Sequence, residues 1–412
     1  MIINNKIIEA EKSLAKQFAE LEEIALYNQN KVINAFKENY VALRHFAGTT
    51  GYGHDDVGRD TLAKVFAASV GAEQAIVSPY MAGASHALKI GLYGLLRPND
   101  TLLSITGKPY ETLDEVIWGE GNGSLKDYGV KYKQIELTED GDFDLAAIEQ
   151  EVKKNPKVVY FQRSRGYSSR DSLSVDRIAE IIAFVRQFTK DAYIFVDNCY
   201  CEFVDKKEPT DVGADVIVGS LMKNPGGGIV PNGAYIAGTA RAIDQIAGAF
   251  TSPSIKLEVC SYEQGYRLFY QGLFLGPHTT LQSLKSSMLF GKVLGDMGFE
   301  TLPKPGQKLN DITRSIILNS KENMVAFCKA IQHASPVDSF VEPIPYAMPG
   351  YTDEVVMAAG AFVQGASIEL SCDGPIKPPY TIYMQGGLTY EHCKLALNEC
   401  LSELEKMAKD TK

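Results

Sequence analysis

The sequence predicts an α/β protein in which a mostly parallel, doubly wound sheet is followed by a smaller α+β domain. Short runs rich in β-branched and aromatic residues alternate with helical patterns through most of the chain, and this order is typical of such a sheet. From about residue 295 the pattern changes to strands separated by turns and helices. We therefore expect an N-terminal helical arm over residues 1–45, a large domain over 46–294 and a small domain over 295–412.

The large domain shows the alternation most clearly. Before it, Leu14, Phe18, Leu21 and Ala25 recur at helical spacing and predict one or two helices, followed by the polar, glycine-rich loop HFAGTTGYGHDDVGRD. The predicted elements then run in the order helix TLAKVFAASV, strand QAIVSPY, helix ASHALKIGLYGLL, strand TLLSIT, helix DLAAIEQEV, strand VVYFQ, helix VDRIAEIIAFVRQF and strands YIFVD and DVIVGS. Asp144 is the expected N-cap of the DLAAIEQEV helix.

A long helix, TTLQSLKSSMLFGKVLGDMG, is expected to connect the two domains. Beyond it we expect the strands SIILNS, VVMAAGAFV, SIELSCD and TIYMQGG. The segment EHCKLALNECLSELEKMAKD predicts a terminal amphipathic helix.

Composition narrows the class of protein. The chain has 412 residues, of which 45% are apolar and 22% charged, as in ordinary globular proteins, and its net charge of −10 without a basic run argues against nucleic acid as a partner. No stretch approaches the ~20 apolar residues that span a bilayer, and the N-terminus lacks the apolar core of a signal peptide. We therefore expect a cytoplasmic protein, and the seven irregularly spaced cysteines agree. His54, Asp55 and Asp56 are adjacent and rarely converge on one ion, so we expect no metal site.

Two side chains follow apolar runs that are predicted strands. Lys223 comes shortly after DVIVGS and directly before Asn-Pro-Gly-Gly-Gly, whose glycines allow a tight turn beside a ligand, and Asp197 ends YIFVD. Ligands of doubly wound sheets collect at the carboxyl ends of the strands. Enzymes that use pyridoxal 5'-phosphate (PLP) need these two residue types. A lysine carries the cofactor as a Schiff base, and an aspartate keeps its pyridine nitrogen protonated. The pair indicates an enzyme of amino-acid chemistry, although each residue alone also fits a surface lysine or a turn aspartate.

Further residues fit the same cofactor. Gly83, Ala84 and Ser85 open the ASHALKIGLYGLL helix, whose first N–H groups suit a phosphate, and Ser220 would add a hydroxyl. Tyr110 follows the TLLSIT strand, where its ring would stack on the cofactor. Each of these features alone also fits a plain helix start or a half-buried loop tyrosine.

Together these motifs resemble the cystathionine branch of PLP-dependent enzymes and, within it, the methionine γ-lyase-like or aluminium resistance family. The resemblance runs from about Tyr40 to the C-terminus and rests on GYGHDDVGRDTL, LYGLLRPND, VDNCYCEF, GSLMKNPGGG and YMQGGLTYEH. It implies the type I PLP-dependent transferase fold, with Lys223 as the Schiff-base lysine and Asp197 as the partner of the pyridinium.

The resemblance also assigns roles to other residues. Tyr110 would stack on the cofactor ring, and Ala84, Ser85 and Ser220 would hold its phosphate. Tyr52, in the glycine-rich loop, would reach the phosphate of a neighbouring subunit. The family therefore implies a homo-oligomer, a dimer or a tetramer, whose active sites are shared between subunits.

The chain departs from the lyase pattern at several positions. His54 stands where the lyases have an arginine, Met222 stands where they usually have a hydroxyl residue before the lysine, and no arginine follows Arg314 to bind the substrate carboxylate from the small domain. The segment FQRSRGYSSR offers replacements. Arg165 is the preferred candidate, before the other arginines of that segment, Arg163 and Arg170.

The function implied by the resemblance is a PLP-dependent carbon–sulfur lyase that acts on a sulfur amino acid by a cystathionine β-lyase or methionine γ-lyase type of elimination. Lys223 would take the Cα proton, and a thiol would leave. Two alternatives remain open. One is another PLP reaction on the same fold, by an aminotransferase, aldolase or racemase, and the other is a PLP-binding protein of low activity with a regulatory or stress role.

Overall fold

The large domain is built on a seven-stranded sheet. The computed structural model describes residues 3–168, 170–348 and 352–410. In this part of the chain the sheet has the strand order β1-β7-β6-β5-β4-β2-β3, and all neighbours are parallel except the two pairs that β7 makes with β1 and β6. The strands are β1 (Gln74–Ser78), β2 (Thr101–Ser104), β3 (Lys131–Gln134), β4 (Val158–Gln162), β5 (Tyr193–Asp197), β6 (Val216–Ser220) and β7 (Ala234–Gly238). The prediction of a mostly parallel sheet is confirmed.

Helices cover both faces of this sheet. The strands are apolar throughout because both of their faces are buried: in β5, Ile194 and Val196 enter one core, whereas Tyr193 and Phe195 enter the other. The helices that precede or surround the sheet are α1 (Asn5–Ser13), α2 (Ala15–Glu38), α3 (Val57–Ser69), α4 (Ala84–Leu95), α5 (Asp114–Trp118), α6 (Leu145–Val152), α7 (Val175–Val185), α8 (Ala240–Phe250) and α9 (Arg267–Asp296). Helices α4 and α8 lie on one face and α3 and α7 on the other, which makes the fold doubly wound.

The small domain is an antiparallel sheet with helices packed on it. Its strand order is β10-β11-β12-β9-β8. The elements are β8 (Glu300–Leu302), β9 (Arg314–Ile317), α10 (Lys321–Ala334), β10 (Val355–Ala358), β11 (Ser371–Pro375), β12 (Thr381–Gln385) and α11 (Tyr390–Asp410). Apolar residues from α10, α11 and the end of α9 fill one core with this sheet. This part of the chain is the α+β unit that the sequence predicts.

The N-terminal helices are divided between the two cores. Ile7 and Ala10 of α1 are buried in the core of the small domain, whereas Val32 and Ala35 of α2 are buried in that of the large domain. The N-terminal segment thereby ties the two domains together. Within the described residues, none of the helices combines the length and the apolar character that crossing a bilayer requires.

Candidate active site

A cavity lies where the carboxyl ends of the large-domain strands face the small sheet. Its lining includes five of the residues predicted from the sequence, and the small domain contributes further polar side chains. The predicted residues are Lys223, Asp197, Tyr110, Ala84 and Ser85. The fold therefore brings together side chains from four separate stretches of the large domain at the edge where ligands of such sheets bind.

Lys223 points its amine at an aromatic face. Its Nζ lies 3.8 Å from the centre of the Tyr200 ring. Tyr200 has a left-handed backbone with φ of 70°, which is uncommon for a bulky residue and sets the direction of its ring. Desolvation by burial lowers the pKa of Lys223, but nearby Cys199, Tyr200 and Asp197 outweigh it and raise the pKa above the ordinary lysine value.

The glycine turn after Lys223 is shaped by its packing on α9. A Cβ on Gly272 would collide with the carbonyl oxygen of Gly226, and a Cβ on Gly227 would stand 2.6 Å from the carbonyl oxygen of Gly272. Gly227 also has a left-handed backbone, with φ of 58°. Glycine on both sides lets the turn lie directly against the helix, and this contact fixes the backbone that carries Lys223.

Asp197 ends β5 with its carboxylate held from two sides. The backbone amide of Cys199 donates to Oδ1 at 3.1 Å, and the hydroxyl of Tyr160 lies 3.5 Å from Oδ2. Burial raises the pKa of Tyr160 well above its usual range, so this hydroxyl remains a donor. The side chain is 5% exposed. Asp197 is therefore a buried, oriented acceptor at the floor of the cavity.

The start of α4 forms another wall of the cavity. The helix begins at Ala84 after the N-cap Gly83 and has no side-chain hydrogen bond at its N-terminus. A Cβ on Gly83 would meet only the methyl group of Met222, at 3.8 Å. Ser85 is hydrogen-bonded to Thr112 at 2.8 Å between the two hydroxyls. The first turn thus presents backbone N–H groups and a hydroxyl to an open space.

Ser220 and Tyr52 lie outside the lining of this cavity. The hydroxyl of Ser220 is buried at the end of β6, where it accepts a hydrogen bond of 3.1 Å from the backbone amide of Met222. Tyr52 is 73% exposed, with its ring beside that of His54. The contact of Tyr52 with a neighbouring subunit stays a prediction.

The ring of Tyr110 stands beside the cavity with aromatic support. Its centroid lies 6.1 Å from that of Tyr167, at an interplanar angle of 67°. Gly166 has φ of 57°, and a Cβ there would stand 3.3 Å from the Tyr110 ring. The glycine therefore leaves room for the ring at the cavity wall.

Arg163 is occupied by a buried network. Its guanidinium donates to Asn198 Oδ1 at 2.8 Å and to Glu208 Oε2 at 3.3 Å, and it also contacts two backbone carbonyls. The arginine and the glutamate are almost completely buried. Arg163 therefore anchors the VDNCYCEF segment, and it does not line the cavity.

Arg165 has unused donors. Its Nη1 donates to the hydroxyl of Ser315 at 3.3 Å, and Nη2 lies 3.7 Å from Asp171 Oδ1, too far for a hydrogen bond. Both Nε and Nη2 are buried without a hydrogen-bond partner in the described part of the chain. Arg165 lines an adjacent cavity that shares Gln162 with the first. Arg165 can therefore bind an anion more readily than Arg163 can.

Arg170 and Arg314 are held by the protein backbone. Arg170 Nη2 donates to the carbonyls of Gln162 and Ser164, at 2.7 and 2.5 Å, and burial lowers its pKa to about 10. Arg314, the last arginine of the chain, donates to the carbonyl of Pro303 and to the hydroxyl of Ser287. Burial, and next the charge of Arg165, lowers its pKa to about 9. Of these arginines, Arg165 is the one with buried donors that have no partner among the described residues.

The small domain adds residues that the sequence analysis missed. Asp373 of β11 lines the cavity and accepts a hydrogen bond of 2.6 Å at Oδ2 from the hydroxyl of Tyr167. The hydroxyl of Tyr383, in β12, donates to the carbonyl of Tyr167 at 2.9 Å, and the two rings lie 4.7 Å apart between centroids. Burial raises the pKa of Asp373 to about 6. In the sequence, Asp373 ends the predicted strand SIELSCD, and this position could have marked it as a candidate site residue.

Comparisons with known proteins agree with this geometry. Residues 3–405 match the family model described as methionine gamma-lyase. The chain belongs to the methionine gamma-lyase family. An uncharacterized Bacillus subtilis (strain 168) protein, YnbB, is 44% identical over 406 residues, which are 98% of this chain and 96% of that protein. The family resemblance inferred from the sequence motifs is confirmed.

Solved structures extend the comparison. A Clostridium acetobutylicum protein, named provisionally as a cystathionine beta-lyase involved in aluminum resistance, is 44% identical and has a TM-score of 0.94, with 98% of this chain and 96% of that chain covered. The protein YhfS of Escherichia coli, described as pyridoxal-5'-phosphate dependent, shares the fold at 16% identity, with a TM-score of 0.62 and 96% and 97% of the two chains covered. The prediction of a type I fold is therefore confirmed.

The residues of this family member fit PLP as a cofactor. A phosphate needs N–H donors in an open place, and the uncapped start of α4 beside Gly83 supplies them. A pyridine nitrogen needs a buried, oriented carboxylate, which Asp197 supplies. The amine of Lys223 faces the same cavity. The donor set of the site matches the three charged parts of this cofactor.

A buried polar network supports the site from below. Glu202 Oε1 accepts a hydrogen bond of 2.7 Å from the hydroxyl of Tyr235, and Asn198 donates to Glu208 at 3.0 Å. Asn224, the residue after Lys223, donates to the carbonyl of Glu202 at 2.9 Å. The VDNCYCEF segment and the glycine turn are thereby joined, so the positions of Asp197 and Lys223 are linked.

Proposed function

We propose that this protein is a PLP-dependent carbon–sulfur lyase that acts on a sulfur amino acid. The observation that carries the proposal is that Lys223, Asp197, Tyr110 and the uncapped start of α4 face one cavity. Membership of the methionine gamma-lyase family and the provisional name of the Clostridium acetobutylicum relative support the reaction class.

Different residues would hold different parts of the cofactor. Lys223 would hold PLP covalently through its ε-amine, and Asp197 would hold the pyridine nitrogen. The first N–H groups of α4 and the hydroxyl of Ser85 would hold the phosphate, with Tyr110 against the ring. When bound, PLP supplies an electron sink that makes a proton on the Cα of an amino acid acidic.

Lys223 is the proposed base for that proton. The substrate amine would displace the Lys223 amine from PLP, which would leave Nζ uncharged beside Cα. Lys223 Nζ would take the proton from Cα, and the carbon–sulfur bond would then break with its electron pair leaving on sulfur. A proton would pass to that sulfur to give the thiol. Water converts the remaining unsaturated amino acid to a 2-oxo acid and ammonia.

Arg165 is the proposed anchor of the substrate carboxylate. An arginine with Nε and Nη2 both unpartnered offers the two-pronged geometry that binds a carboxylate best. Its burial strengthens such a pair because water competes less. Arg163 and Arg170, in contrast, already donate to protein acceptors.

The direct test is an assay of the PLP-loaded protein for 2-oxo acid release from L-cystathionine, L-methionine and L-cysteine. We expect turnover of at least one of them, with ammonia and a thiol formed in equal amounts. The Lys223→Ala variant serves as the control and should be inactive. Absence of turnover on all three substrates would refute the lyase proposal.

A further inference from the structure

The small-domain wall of the cavity presents an acceptor that no protein donor satisfies. Asp373 Oδ2 accepts from Tyr167, but Asp373 Oδ1 is buried and has no hydrogen-bond partner among the described residues. A buried carboxylate with one neutral donor is poorly compensated for the loss of water. A donor brought by a ligand would complete its coordination.

The position of Asp373 separates it from the cofactor residues. Asp197 and Lys223 belong to the ends of large-domain strands, whereas Asp373 lies in β11 and pairs with Tyr383 of β12. The rings of Tyr167 and Tyr383 line both this cavity and a second cavity next to it. Asp373 therefore lies in the small-domain wall of the cavity, beside the two tyrosines that also border the second cavity.

The charge of this wall selects for a cation. None of the described arginines lines this cavity: Arg165 lines the adjacent one, where its free donors remain for the substrate carboxylate. Burial raises the pKa of Asp373 to about 6, so the carboxyl still ionises near neutral pH and an approaching cation favours the ionised form. A substrate with a neutral or anionic side chain would leave the charge of the Asp373 carboxylate unpaired.

We propose that Asp373 is a specificity-determining residue that binds an ammonium group at the far end of the substrate side chain. The preferred substrates are then sulfur amino acids whose leaving thiol carries a positive charge. This inference rests on the proposed lyase function, because it assumes that an amino acid is bound with its Cα at Lys223.

Two ligands of equal size test the inference. S-(2-aminoethyl)-L-cysteine and S-propyl-L-cysteine differ only in that an ammonium replaces a methyl group. Their kcat/KM values are measured with the PLP-loaded protein, and their Kd values are measured by calorimetry in the PLP-loaded Lys223→Ala background, where turnover does not interfere. We expect the wild-type protein to favour the aminoethyl compound by about tenfold or more, as one charge-assisted hydrogen bond provides.

The Asp373→Asn variant keeps the shape of the side chain and removes its charge. We expect the preference to fall close to one, mainly through weaker binding of the aminoethyl compound. Asp296→Asn is the matched control, since Asp296 is an exposed residue of α9 paired with Lys292, and it should retain the wild-type preference.

Each other outcome has a defined meaning. Equal affinity of the wild-type protein for the two compounds would overturn the ammonium site while leaving the lyase proposal intact. An equal loss with both compounds in Asp373→Asn would mean a structural or proton-donating role, and would also overturn it. If neither compound binds and no sulfur amino acid is turned over, the lyase proposal fails together with this inference.

Discussion

The hydroxyl of Tyr235 donates a hydrogen bond of 2.7 Å to Glu202 Oε1, and the backbone carbonyl of Glu202 accepts a hydrogen bond from Asn224, the residue after Lys223. The other oxygen, Oε2, is buried without a partner in the described residues. Burial raises the pKa of Glu202 to about 8. In the unfolded chain the Glu202 carboxyl loses its proton near the ordinary glutamate pKa. Ionisation of Glu202 therefore favours the unfolded state between about pH 4.5 and 8.

The free energy of unfolding should therefore decrease through that pH range, with full stability below it. In Glu202→Gln, which keeps the acceptor for Tyr235 and does not titrate, the decrease should be smaller by several kcal/mol. Urea denaturation of the two proteins at pH 5, 6.5 and 8 measures the difference. Parallel pH curves for both proteins would contradict a neutral Glu202 in the folded state.

The covalent link to the cofactor can be located chemically. Reduction of the PLP-loaded protein with borohydride, followed by peptide mapping, should place the label on the peptide that contains Lys223. The Lys223→Ala variant should lose both the label and the absorption band of the covalent link. Lys223→Arg, which keeps the positive charge, should lose them as well, because only a primary amine forms the bond. A label on any other lysine would contradict the assignment.

The three arginines of the FQRSRGYSSR segment should respond differently to substitution. Arg165→Gln should raise KM for the amino acid substrate by about tenfold or more with a smaller effect on unfolding, because the guanidinium has donors to spare. Arg163→Gln should instead destabilise the fold by about 3–5 kcal/mol, because it leaves the buried Glu208 without its ion-pair partner. Steady-state kinetics beside thermal denaturation separates the two effects. A larger KM effect at Arg163 than at Arg165 would reverse our assignment.

Much of the fold and the cofactor side of the site could be predicted from the sequence. β4, β5 and β6 are continuous apolar runs because helices bury both of their faces, and residues at their ends, such as Asp197, were therefore visible as site candidates. The strand β7 was missed because AYIAG is short and small, and it pairs antiparallel between two strands from distant parts of the chain.

The remaining site residues depend on tertiary packing. Asp373 contacts Tyr167 only because the small domain packs on the large one. The pattern of apolar residues in either segment does not indicate this contact. The first half of α9 was missed because Gly272, Gly276 and Pro277 interrupt its helical pattern. The structure explains the two glycines by their close contact with the turn after Lys223 and with Phe203.

That close contact makes Gly272 a sensitive position. Gly272→Ala should destabilise the protein by about 1–3 kcal/mol, because the new Cβ collides with the backbone of Gly226 and neither backbone can move freely. The displaced turn should also weaken PLP binding. Gly248→Ala in α8 is the matched control, where a Cβ has ordinary contacts at 3.4 Å and helix propensity favours alanine. Thermal denaturation and equilibrium PLP titration measure both effects, and equal behaviour of the two variants would refute the proposed role of the contact.

The exposure of Tyr52 makes a shared active site testable. A 73% exposed tyrosine in a loop cannot serve the cavity of its own chain, so its predicted role requires a neighbouring subunit. Tyr52→Ala and Lys223→Ala should each abolish most activity. When the two inactive proteins are unfolded together and refolded as mixed dimers, each mixed dimer regains one site that combines Lys223 of one subunit with Tyr52 of the other. Random pairing then restores about a quarter of the wild-type sites. A mixture that stays inactive, although sedimentation shows mixed dimers, would contradict the shared site, since all residues of one site would then come from a single chain.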